Sequence, residues 1–134
     1  LTLNITSIPS QRVPSPIKLS QVLQNLLSNA IKHKGDSSEH LLVTTAVDKG
    51  RVVIEVIDQN PQIPEEYRQR IFEMFQTLRP RDQVEGSGMG LAIAERVVNS
   101  MGGSLSYYPA PVDLEIKNIK YSNVFSFTWP LENT

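Results

Sequence analysis

The chain reads as a two-layer α/β (α+β) sandwich, with a mixed, mostly antiparallel sheet of five to six strands packed on about three helices. Two observations predict this. Residues 15–35 and 90–101 repeat apolar side chains at spacings of three and four, giving each stretch one apolar face. Five or six shorter runs instead alternate apolar with polar residues, or are rich in Val, Ile and Phe, as strands are. The 134 residues suffice for one domain with a real core and are too few for two, so 1–134 is read as a single domain.

Taken in order, residues 1–8 set Leu1, Leu3 and Ile5 against Thr2, Asn4 and Thr6, the pattern of a half-buried strand. Residues 9–14 form a loop into the first helix. There Ser15 is the expected cap, and Pro16 suits a first turn whose N–H has no partner. Leu19, Val22, Leu23, Leu26, Leu27, Ala30 and Ile31 form its apolar face, and Gly35 is placed to end it. Residues 41–47 and 51–58 are β-rich and separated by Asp48-Lys49-Gly50, a hairpin signal. Pro61 and Pro64 break regular structure, and residues 64–75 are expected to form a short helix with Tyr67, Ile71, Phe72 and Phe75 inward. Residues 76–88 lack periodicity and are expected to form a mobile loop. A second helix over 90–101 carries Leu91, Ala94, Val97, Val98 and Met101 inward and stops at Gly102-Gly103. Strands at 104–108 and 124–129 follow, the latter with Phe125, Phe127 and Trp129 on one face. Between them residues 109–123 are expected to hold an extra strand or extended hairpin, decorating the edge of the sheet.

Composition excludes several classes. Forty per cent of residues are hydrophobic and 20% charged, and the net charge is −1, ordinary for a globular protein and far from the basic footprint of a nucleic-acid binder. With no cysteine there is no disulfide framework or thiolate metal site, which fits a reducing compartment. No apolar run approaches the roughly 20 residues that span a bilayer. Leu1 in place of an initiating Met leads us to expect a piece of a longer protein.

Chemistry concentrates in four stretches. At roughly 100° per residue, Lys18, Gln21, Asn25, Asn29 and Lys32 share one stripe of the first helix, with His33 at its edge. Amide oxygens suit Mg²⁺, a hard cation, and lysine suits phosphate; a solvated polar face would show the same pattern. Asp58, exposed at a strand's end, can accept a hydrogen bond from an exocyclic amine such as adenine N6, or can simply cap the turn. IFEMF, residues 71–75, includes Phe72 as a core residue. GSGMGLAIA, residues 86–94, alternates Gly86, Gly88 and Gly90 and opens a helix, whose free N–H groups favour a phosphate. It is neither a dinucleotide-binding fingerprint nor a P-loop, because no strand immediately precedes it and no Gly-Lys-Ser/Thr follows.

In this order the four stretches resemble the N, G1, F and G2 boxes of the histidine-kinase ATPase domain, within the GHKL group of gyrase-type ATPases. NLLSNAIKH matches the N box, VID at 56–58 with Pro61, Ile63 and Pro64 the G1 box in part, IFEMF the F box, and GSGMGLAIAERVV with the later MGG the G2 box. The resemblance implies the Bergerat ATP-binding fold and an ATP-dependent protein-histidine kinase of a two-component phosphorelay, using ATP and Mg²⁺. Asn29 and Asn25 would hold the metal, and Lys32 would reach phosphate as part of the catalytic set with them. His33 and Ile63 would lie beside the nucleotide, and Asp58 would read the adenine amine. Gly86, Ser87, Gly88, Met89, Gly90 and Leu91 would fold over the triphosphate, with Arg79 or Arg81 at the γ-phosphate. The implied partners are a helical dimerisation and phosphoacceptor domain and, indirectly, a response-regulator receiver domain. The parent would be a cytoplasmic homodimer with room for a membrane anchor, the domain itself touching neither membrane nor nucleic acid.

Three departures stand out. The family's D-x-G-x-G turn here reads Asp58-Gln59-Asn60-Pro61-Gln62, with both glycines replaced. Asn60 and Gln62 would have to adopt a left-handed backbone, and Gln62 adds a side chain beside the base. The alternative is therefore a degenerate, pseudokinase module that senses or docks with weak or no ATP binding. Residues 109–123 replace a short Gly-rich turn. Neither His33 nor His40 has the H-[ED]-x-[KR] setting of a phosphoacceptor, so this chain alone is not expected to autophosphorylate.

Overall fold

The computed structural model describes residues 2–5, 13–35, 38–73, 90–111 and 114–131. In chain order the elements are β1 (Thr2–Ile5), α1 (Pro16–Lys32), β2 (His40–Asp48), β3 (Arg51–Asp58), α2 (Gly90–Ser100), β4 (Leu105–Pro109), β5 (Glu115–Ile116), β6 (Ile119–Lys120) and β7 (Asn123–Pro130). A 3-10 turn at Glu65–Tyr67 lies between β3 and α2. The main sheet has the order β1-β2-β3-β7-β4, with β1 parallel to β2 and every other pair antiparallel. The expected hairpin is its centre: β2 and β3 pair from Leu41↔Asp58 to Asp48↔Arg51, joined by Lys49 and Gly50 at φ 52° and 77°, the two positive angles a tight turn between twisted strands requires.

Strand alternation then sorts the side chains. Leu41, Val43, Val52, Ile54, Val56, Phe125, Phe127 and Trp129 face the helices and pack with Val22, Leu26, Ala30, Ala94 and Val98. Trp129 is fully buried, and its indole N–H donates to the Pro14 carbonyl at 2.9 Å, fixing how the chain enters α1. The next residues along, Leu42, Ile57 and Val124, point to the opposite face and form a second core with Ala110 and Tyr121, flanked by Leu114, Ile116 and Ile119. The expected hairpin in 109–123 is thus present as β5–β6. It does not decorate an edge; it roofs the far face of the sheet over apolar residues that would otherwise meet water.

Several local expectations are corrected. Ser15 does not cap α1 with its side chain; it sits at φ 52°, and only its carbonyl serves the first turn, accepting from the Leu19 N–H at 3.0 Å. Gly35 does not end α1. The helix stops at Lys32 with His33 as cap, and Gly35 instead lets Pro61 approach, since a Cβ there would lie 3.1 Å from Pro61 Cδ. Ile31 is 55% exposed, because the buried face is the narrower line of Val22, Leu26 and Ala30. β1 is exposed at all four residues, Leu3 and Ile5 included, being an edge strand without a helix over it. The expected short helix over 64–75 is a run of 3-10 turns as far as described, with Tyr67→Pro64, Arg68→Glu65, Arg70→Tyr67 and Glu73→Arg70 bonds. Among the described residues the helical elements are thus two α-helices and this short 3-10 helix, in keeping with about three helices. The Gly102-Gly103 stop holds: the N–H groups of Gly102 and Gly103 donate back to Asn99 and Val98, with Gly102 at φ 77°. Gly103 also lies so close to β7 that a Cβ would fall 2.3 Å from the Thr128 carbonyl oxygen.

Candidate functional site

Helix α1 turns Val22, Leu26 and Ala30 inward, so Asn25, Asn29 and Lys32 emerge half-buried on the adjoining flank, while Lys18 and Gln21 are exposed. Among the described residues the side chains of Asn25, Asn29 and Lys32 make no hydrogen bond. The two amides are thus half-buried and without a side-chain partner among the described residues. His33, at the helix end, is half-buried, and its N–H donates to the Asn29 carbonyl at 3.1 Å.

Asp58 is only 3% exposed, which corrects the expectation of an exposed acid. The reason is its register: it lies between Leu41 and Asn123 at the top of the sheet, and the following loop folds back over it. Its Oδ1 accepts from the Asn60 N–H at 3.0 Å and from Asn123 Nδ2 at 2.8 Å. Oδ2 accepts none among the described residues. Burial pushes the carboxyl above its ordinary range, and the two donors pull partly the other way.

The loop after Asp58 is tied down residue by residue. Asn60 Nδ2 donates to the Ala30 carbonyl at 2.9 Å, one residue past Asn29, and this bond joins the acid's loop to the amide-bearing helix. Gln59 Oε1 accepts from the N–H groups of Glu39 and His40, both at 2.8 Å, and its Nε2 donates to the Lys120 carbonyl at 2.9 Å. Gln62 Nε2 donates to the Ser122 carbonyl at 3.2 Å. Neither Asn60 nor Gln62 has a positive φ, so the left-handed backbone expected of them is not used. Ile63 is buried; its N–H donates to the Tyr107 hydroxyl at 3.2 Å, and its carbonyl accepts from Arg68 Nε at 2.9 Å.

Gly90 and Leu91 open α2, both half-buried. Arg79, Arg81, Gly86, Ser87, Gly88 and Met89 lie outside the described residues, as do Met74 and Phe75 of the aromatic stretch. Sequence reasoning missed Asn123, Tyr107 and Gln59. Asn123 had a faint signal, a polar residue opening an otherwise apolar alternation, but only the Asp58↔Asn123 register gives it meaning.

Residues 15–133 match the family model described as histidine kinase-, DNA gyrase B-, and HSP90-like ATPase. The chain belongs to this family. Within the family, it is 32% identical over 117 residues to the signal transduction histidine-protein kinase BarA of Escherichia coli (strain K12), covering 83% of this chain and 13% of BarA. Among solved structures, the mycobacterial sensor histidine kinase MprB superposes with a TM-score of 0.76 at 26% identity, over 98% of this chain and 83% of that one. ShkA, crystallised full-length in complex with AMPPNP, gives 0.72 at 29% identity over 99% of this chain and 26% of ShkA. The chain thus spans about an eighth of BarA, and it is a catalytic ATPase domain of the histidine-kinase type. Among the described residues, no helix of this GHKL domain is long and apolar enough to cross a membrane, and no group of three or more His, Cys, Asp or Glu side chains could hold a metal.

Proposed function

We propose that the chain binds Mg·ATP and donates its γ-phosphoryl group to a histidine on a separate helical dimerisation domain, within a two-component relay. The observation that carries this is the Asn60–Ala30 bond, which joins the Asp58 loop to the helix bearing Asn25 and Asn29. At one end, Asp58 Oδ2 accepts the adenine N6 amine, with Ile63 beside the base. At the other, the amide oxygens of Asn29 and Asn25 hold Mg²⁺, Lys32 meets phosphate and His33 flanks the nucleotide. Two amides without a side-chain partner among the described residues fit a hard cation that keeps few protein ligands and takes the rest from phosphates and water. When bound, the metal neutralises charge on the transferring group. The protein's part is to position, for phosphoryl transfer asks little covalent help. Gly86, Ser87, Gly88, Met89, Gly90 and Leu91 are assigned to the triphosphate, and Arg79 or Arg81 to the γ-phosphate. The α1 stripe carries amides and lysines and no acid to activate water, which favours transfer to a partner over steady hydrolysis. The partner arrangement follows the same reading: a homodimeric parent working in the cytoplasm and signalling onward to a receiver domain.

The pseudokinase alternative rests on Asn60 and Gln62 standing in place of glycines, with the Gln62 side chain beside the base. Its bond to the Ser122 carbonyl supports binding instead. The test mixes the chain with ATP labelled on the γ-phosphate, with and without the helical domain of its parent protein. Label is expected on the helical domain and none on this chain alone, and Asn29→Ala should slow transfer by about a hundredfold. Label on this chain alone, or sustained ATP hydrolysis without the partner, would contradict the assignment.

A further inference from the structure

We propose that Tyr107 and Asn123 are positioning residues that fix Asp58 as a pure hydrogen-bond acceptor, so that the site selects amino-purines over keto-purines; this rests on the reading of Asp58 as the base-contacting acid. The argument is one of donor and acceptor bookkeeping. A backbone N–H can only donate, so at the 3.2 Å contact from Ile63 the Tyr107 hydroxyl must accept. Its own hydrogen then goes to Asn123 Oδ1, 2.5 Å away. That sets the Asn123 amide: its carbonyl faces Tyr107, and its Nδ2 faces Asp58 Oδ1 at 2.8 Å, the Asn60 carbonyl at 3.0 Å and the Pro61 carbonyl at 3.3 Å. Turning the amide over would press its oxygen against three oxygens, and the Tyr107 hydroxyl would face a donor while its own hydrogen lost its acceptor.

Asp58 Oδ1 therefore meets donors only, from Asn123 and from the Asn60 N–H. These two donors favour the ionised carboxylate, against the burial that raises its pKa. An ionised Oδ2 accepts from an exocyclic amine and repels a keto oxygen; a protonated Oδ2 would welcome the keto group. The chain of bonds from Ile63 through Tyr107 and Asn123 thus decides which purine suits. It is held in place from both sides. Arg68 binds the Ile63 carbonyl, and its guanidinium lies 5.9 Å from the centre of the Tyr107 ring, while Phe125 packs on that ring at 5.1 Å.

The test is calorimetric titration of the whole chain with Mg·ADP and Mg·IDP, which differ in the amine and keto groups at position 6. The unaltered chain should prefer ADP by at least about tenfold, the worth of a hydrogen bond to a charged group. Tyr107→Phe keeps the ring against Phe125 and removes only the hydroxyl, and should bring the ratio to within about threefold with binding retained. An unchanged ratio in that variant overturns the proposal. A chain that binds neither nucleotide overturns the base-contact reading itself. Side-chain amide NMR of the unaltered, nucleotide-free chain tests the relay independently of the variant: the Asn123 NH₂ should be protected from exchange, and an unprotected one overturns the relay.

Discussion

Asp58 is buried at a cost to stability that the proposed base contact would explain. A carboxylate only 3% exposed, with neutral partners on one oxygen, is not there to strengthen the fold. Its folded pKa lies above the ordinary 3.8, chiefly through burial. Between those values the native state keeps a proton that the unfolded chain releases. Asp58's contribution to stability is therefore complete below about pH 3.8 and is lost as pH rises through the folded pKa. Asp58→Asn should be at least as stable as the unaltered chain at neutral pH in urea denaturation, with a flatter acid-side pH profile. An asparagine oxygen can still accept from Asn60 and Asn123, but its NH₂ then replaces Oδ2 as the group offered to the ligand. The same variant should lose Mg·ADP affinity by at least about tenfold; undiminished binding would remove Asp58 from the site. The placement of the acid at a strand end and of both asparagines on one helical stripe was legible in the sequence. Tyr107 and Asn123 were not, because their meaning depends on a strand register linking residues 65 apart.

At the scale of elements, the β5–β6 hairpin performs two tasks. It covers Leu42, Ile57 and Val124, and it anchors the loop after Asp58. That loop is a strap whose side chains, Gln59, Asn60 and Gln62, are each bound to backbone of other segments. Replacing residues 112–120 by a short Gly-Ser turn should leave the helix-side core folded but cost about 3 kcal/mol or more from re-exposed apolar surface. Mg·ADP affinity should fall with it, as Gln59 loses the Lys120 carbonyl. Full retention of both stability and affinity would make the hairpin an ornament. The two helices, the central hairpin and the final strand were readable because their periods of 3.6 and 2 run long. The edge strand's exposure, the 3-10 turns after Pro64 and the left-handed Ser15 were not, for tertiary neighbours decide each of them.

At the scale of the molecule, the helices and the sheet's two faces divide the work. One face holds the helix-side core that sets α1 and its amides; the other holds a second core that braces the Asp58 loop. The site we propose lies where those two supports meet, at the Asn60–Ala30 bond. A resemblance spread across four stretches far apart in sequence could be read before the fold, because the fold is what brings such stretches to one place. The most direct test is an amide NMR titration of the chain with Mg²⁺ and a non-hydrolysable ATP analogue. The side-chain amides of Asn25 and Asn29 and the backbone amides of Asn60 and Ile63 should shift together at one affinity. Their remaining unmoved at millimolar nucleotide, or shifts confined to other surfaces, would contradict a nucleotide held between α1 and the Asp58 loop.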